Sequence, residues 1–129
     1  MKTDQIKLFT IEEANNHLPH ISKILVELRG HYTKLKSMTG AARHAAEGAT
    51  SGGGGMTGGA VYIETLQQLA DGSQLIHTIG VQIKDYEQGL IDFPSLKEER
   101  VILLCWKLGE EKIEWWHEID AGFIGRQPL

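Results

Sequence analysis

An α+β fold, a long antiparallel helical hairpin packed on a small antiparallel β-sheet, is what the 129-residue sequence predicts. Three observations carry that expectation. Apolar residues recur at helical spacing in two runs before Gly80, and β-branched and aromatic residues separated by turn formers dominate after it. The two textures do not alternate along the chain, which sets helices and strands apart in sequence rather than in βαβ units. A chain of this length buries roughly two-thirds of its unfolded surface in one core, so a single domain over 1–129 is expected.

The first helix, predicted over 10–47, rests on the series Ile11, Ala14, Leu18, Ile21, Leu25, Leu28, Tyr32 and Leu35, whose steps alternate three and four. Thr10 with Glu13 three residues later is the capping-box arrangement, in which each side chain satisfies the other's free backbone N–H. Pro19 removes an interior N–H and is expected to kink the helix, and Gly30 weakens it. Ile24 and Val26 lie off the main stripe, as they would if a second face were covered, for instance in a homodimer.

Residues 48–59 hold a glycine-rich run that orders only at high entropic cost, and they read as a mobile connector. A second helix is predicted over 60–79 from Ile63, Leu66, Leu69, Ala70, Ile76 and Ile79, weakened at Asp71-Gly72 and closed by Gly80. The antiparallel sheet is predicted over 81–119, in runs 81–86, 90–93, 101–108 and 113–119, with 120–129 as a C-terminal tail. If Gly109-Glu110-Glu111-Lys112 is a hairpin turn with Leu108 facing Ile113, then Trp106 faces Trp115 and Lys107 faces Glu114, both favourable cross-strand pairs. That register sends Asp92, Cys105 and Glu118 to one face and His117 to the other, unless a bulge re-aims one of them.

Composition narrows the function. Apolar residues at 41% and charged residues at 23% describe an ordinary globular protein. The net charge of −4 argues against nucleic acid and anionic membrane as partners, both of which favour clustered Lys and Arg. No apolar stretch is long enough for a membrane span or a signal-peptide core, so a cytoplasmic location is expected. Cys105 is the single cysteine, which excludes an internal disulfide and multi-cysteine zinc sites.

The runs Gly89-Leu90-Ile91-Asp92-Phe93-Pro94, Leu104-Cys105-Trp106-Lys107-Leu108-Gly109-Glu110 and Trp116-His117-Glu118 stand out, with Gly122-Phe123 and Gly125-Arg126-Gln127-Pro128 after them. With Glu12-Glu13-Ala14-Asn15 and Leu18-Pro19 near the start, they resemble the prokaryotic family called domain of unknown function 2203 over nearly the whole chain. The resemblance implies a fold and a set of residues to suspect, and it supplies no reaction. The glycine-rich run and the His17/His20 pair lie outside it.

The sharpest chemical reading is a divalent-metal site, for Zn²⁺, Mn²⁺ or Fe²⁺, made by His117, Glu118 and Asp92. In an enzyme such an ion would activate a water for hydrolysis of a small substrate, although whether the chain is an enzyme stays open. The plainer reading makes His117 a hydrogen-bonded core residue and leaves Asp92 and Glu118 to cap turns or pair with Arg126. Glu13, His17 and His20 share a helical stripe, where solvated surface is the simpler account. Cys105 reads as a buried structural thiol, and Trp106, Trp115 and Trp116 as core. The rival to metal binding is a homo-oligomeric structural or interaction module without catalytic activity.

Overall fold

Apolar periodicity becomes a helix pair on one face of a meandering sheet. The structure, a computed structural model, describes residues 6–38 and 57–129. Helix α1 spans Ile11–Ser37 and α2 spans Thr57–Ile79; β1 is Gln82–Asp85, β2 Leu90–Lys97, β3 Arg100–Lys107, β4 Trp115–His117 and β5 Gln127–Pro128, with one 3₁₀ turn at Phe123–Gly125. The strands lie in sequence order and every neighbouring pair is antiparallel. No helix among the described residues is long and apolar enough to cross a membrane.

The capping box forms as the sequence requires, with Glu13 N donating to Thr10 Oγ1 and Thr10 N donating to Glu13 Oε1, each at 3.0 Å. Helix α1 runs on through Pro19. Its stripe Ala14, Leu18, Ile21, Leu25 and Leu28 is buried, and Ile24 joins it, while Val26 stays exposed. The stretch 39–47 expected as helix, and the connector as far as 56, lie outside the described residues.

Helix α2 departs from the expected stripe. Ile63 and Leu66 are exposed, and the inward line is Thr65, Leu69, Gly72, Ile76 and Ile79. Gly72 explains the rotation: a Cβ there would stand 2.5 Å from Leu28 Cδ2, so the glycine lets the two helices approach closely. Helical residues 57–59 also fall within what reads from sequence as connector.

In the sheet, β2 passes straight through Pro94. The Pro94 carbonyl accepts from Phe9 N at 2.8 Å, on the side away from β3, so the missing proline N–H costs the β2–β3 ladder nothing. Ser95 Oγ donates to Phe9 O at 2.6 Å and secures the same junction. Glu98 and Glu99, at φ 51° and 66°, make the two-residue turn into β3.

The β3–β4 register is the main correction. Cys105 pairs with Trp115, Leu104 with Trp116 and Leu103 with His117, one residue away from the expected Trp106–Trp115 pairing. The cause lies in the connection, which is not a tight hairpin. Trp106 Nε1 donates to Glu110 O (3.1 Å), Lys107 N to Glu110 Oε1 (2.9 Å), and Ile113 N leaves the ladder for Asn15 Oδ1 on α1 (2.7 Å). Ile113 and Trp116 both reach the helix-side core although three residues apart, so alternation breaks between them. A one-residue slip exchanges the faces of a strand. Trp116 turns to the helices, and His117 turns to the opposite face with Cys105.

The residues read as a tail also belong to the sheet. Gln127 and Pro128 pair with Trp116 and Trp115 as β5.

Candidate metal centre

Three neighbouring strands contribute one polar side chain each to the sheet face away from the helices. Asp92 of β2 is directly opposite Cys105 of β3, and His117 of β4 pairs with Leu103 two residues along. Side chains of paired residues share a face, and so do residues two apart, so all three project together. Among the described residues, Asp92, Cys105 and His117 form the one group of three potential ligands, with ligand atoms within 4.8 Å of one another. Their exposures are 1%, 0% and 2%, which makes this a dry site.

His117 fixes the protonation chemistry. Its Nδ1 lies 2.7 Å from the Glu118 carbonyl oxygen, which only accepts, so Nδ1 carries a hydrogen and donates. In the neutral ring Nε2 then presents a lone pair, and it stands 3.1 Å from both Oδ1 and Oδ2 of Asp92. Two acceptors face each other across that gap, which demands a cation between them: a proton held by the pair, or a metal ion. Burial holds the Asp92 carboxyl above its ordinary range, outweighing the opposing pull of His117 and of Lys84, whose Nζ is 4.0 Å from Oδ2. Burial, and then the adjacent Asp92 charge, pushes the Cys105 thiol up to about 12. Cys105 is therefore a neutral thiol near pH 7 and a poor nucleophile without an ion to replace its proton.

Glu118, the third expected ligand, is elsewhere. Its carboxylate accepts from Arg100 Nη2 at 2.6 Å and Nε at 3.3 Å on the partly exposed surface. Arg100 holds the Glu118 carboxyl below the usual range. Only the backbone oxygen of Glu118 serves the cluster, by orienting the imidazole. Arg126 pairs not with Asp92 or Glu118 but with Glu110, at 2.9 Å. The Glu13, His17 and His20 stripe is not assembled either: Glu13 is occupied in the capping box and His17 meets the Phe9 ring edge-on at 5.6 Å. Trp106 and Trp116 are core, whereas Trp115 is half-buried beneath Arg126.

Asp92 and His117 stand out in the sequence as candidate ligands, and Cys105 falls near Asp92 there, but as a structural thiol without a role at the site. The signal that points to Cys105 is that it and Asp92 each interrupt an apolar strand, at positions that face one another across a two-residue turn.

Fold and site together define a small α+β protein with a helical hairpin on one sheet face and a buried Asp–Cys–His cluster on the other. The chain belongs to the family described as Uncharacterized conserved protein (DUF2203), which it matches over residues 7–129, and so over every described strand and helix. No curated protein and no solved structure matches it.

Proposed function

We propose that the protein binds one divalent transition-metal ion through Asp92 Oδ, Cys105 Sγ and His117 Nε2, and that the ion is Zn²⁺. The observation that carries this reading is the His117 lone pair aimed at a buried carboxylate, with the other ring nitrogen committed to a backbone carbonyl. That second contact is the usual orienting partner of a metal-bound histidine. A thiolate, an imidazole and a carboxylate suit zinc better than manganese, and the two anionic ligands neutralise the ion in a dry environment. Cys105 thus takes the place of Glu118 in the ligand set. With all three side chains buried, the site suits a structural or regulatory ion rather than one that activates solvent water for hydrolysis.

The proton balance supplies a direct test. Loading replaces the Cys105 thiol proton and the proton shared by Asp92 and His117, so two protons leave for each ion bound. Titration of metal-free protein with Zn²⁺ in a weakly buffered indicator solution is expected to show one ion and two protons per chain. Cys105→Ser and His117→Ala are expected to abolish tight binding, whereas Glu118→Gln leaves it intact. Equal zinc affinity in wild type and Cys105→Ser would overturn the assignment.

A second reading, a homodimeric interaction module, is favoured by the apolar side chains exposed on the helices, Val26 at 51% and Leu75 at 57% among them. Sedimentation equilibrium with and without chelator separates the two. A dimer indifferent to chelator and to His117→Ala supports the module.

A further inference from the structure

We propose that residues 122–128 form a strap that opens to give access to the buried cluster, with the Arg126–Glu110 ion pair as its latch. The proposal rests on the metal reading for what passes through, and on contacts of the strap itself for the motion.

The helices cover the other face of the sheet, and Asp92, Cys105 and His117 are absent from the helix-side core, yet all three are buried. The strap supplies cover at the Cys105 end of the cluster. Trp115 is directly opposite Cys105, and Lys107 is two residues further along the same strand. The Arg126 guanidinium lies 4.7 Å from the Trp115 ring and 4.6 Å from the Phe123 ring, and Lys107 Nζ lies 5.4 Å from Phe123. Phe123 and Arg126 therefore stand over the Cys105 end of the cluster.

The strap is lightly held. Strand β5 is two residues long, and Leu129 N adds one hydrogen bond to Glu114 O. At the strap's crest Ile124 is 98% exposed, so that side chain anchors nothing. The crest is internally tied, by Gly125 N to Gly122 O and Arg126 N to Phe123 O, and moves as one piece. Gly122, at φ 72°, supplies a backbone conformation other residues rarely adopt and marks the hinge.

The latch is specific and incompletely satisfied. Glu110 receives Arg126 Nη2 and also the backbone N–H of Lys107, which fixes the carboxylate to β3. Arg126 Nε is buried without a hydrogen-bond partner, the single such side-chain atom among the described residues. Closure leaves that donor unsolvated and opening returns it to water, so the closed state is held with a built-in bias toward release.

Cys105 is the one thiol, so its labelling by Ellman's reagent in native buffer reports opening without reference to any metal. Arg126→Gln and Glu110→Gln break the latch from either side, and Leu28→Ala weakens the helical interface far from it. Each latch variant is expected to label at least about tenfold faster than wild type. Leu28→Ala, compared at equal global stability set with urea, is expected to label no faster than wild type does. Latch variants that label only as fast as their global unfolding allows would overturn the strap. Rapid labelling together with no zinc binding in wild type would uphold the strap and remove the ion. Rapid labelling together with faster loss of bound zinc to chelator would uphold both.

Discussion

His117 shows how one backbone contact determines the chemistry of a buried site. Because Glu118 O takes the Nδ1 hydrogen, the ring can neither flip its tautomer nor accept at Nδ1, and Asp92 must work with the lone pair at Nε2. A side chain that brings a donor to that spot is expected to be tolerated. Asp92→Asn supplies an amide N–H to Nε2, so it should cost less than about 1 kcal/mol in urea unfolding. Asp92→Ala and His117→Ala, which leave a buried partner unpaired, should each cost about 3 kcal/mol. The same Asp92→Asn substitution removes an anionic ligand and should weaken zinc binding strongly, separating fold from metal in one residue. Equal destabilisation by Asn and Ala at position 92 would disprove the tautomer.

Elements built on local chemistry are legible in the sequence, and those built on approach between elements are not. The Thr10–Glu13 box and the Ala14-to-Leu28 stripe need only spacing to be recognised, and α1 begins and buries itself accordingly. The inward line of α2 depends on Gly72 meeting Leu28, a fact of the partner helix, so apolar spacing alone points to Ile63 and Leu66 instead. The β3–β4 register escapes pattern reading because an α1 side chain, Asn15, takes the Ile113 N–H out of the ladder. With the hairpin register His117 falls on the wrong face, and the candidate site acquires Glu118 in place of Cys105. Gly30 of α1 and Gly72 of α2 make opposite predictions. Gly30 has nothing within 4 Å of where an alanine methyl would lie, so Gly30→Ala should stabilise by about 1 kcal/mol, while Gly72→Ala should gain nothing or lose stability. At the β2–β3 turn both residues have positive φ without being glycine or asparagine. Glu98→Asn with Glu99→Gly should therefore add about 1 kcal/mol, read as a higher urea midpoint at unchanged slope.

On the scale of the whole molecule the sheet separates two environments with different duties. On one side Ile91, Phe93, Ile102, Leu104, Trp106 and Trp116 meet the apolar stripes of the helices, and this layer contains no member of the polar cluster. On the other side Asp92, Cys105 and His117 are buried together, and Arg126 packs on the rings of Phe123 and of Trp115, the residue opposite Cys105. The helix-side layer therefore forms a core without the polar cluster, and the proposed ion is expected to be dispensable for folding, unlike that of small zinc domains that unfold without metal. Metal-free protein is expected to give a cooperative unfolding transition with a native near-ultraviolet signal from its tryptophans. Zinc, bound by the native state alone, should then raise the unfolding free energy by about 2.7 kcal/mol at one hundred times its dissociation constant. The increment should vanish in Cys105→Ser while the metal-free transition of that variant stays cooperative. A metal-free protein without a cooperative transition would mean that the polar face, not the helical one, organises the fold.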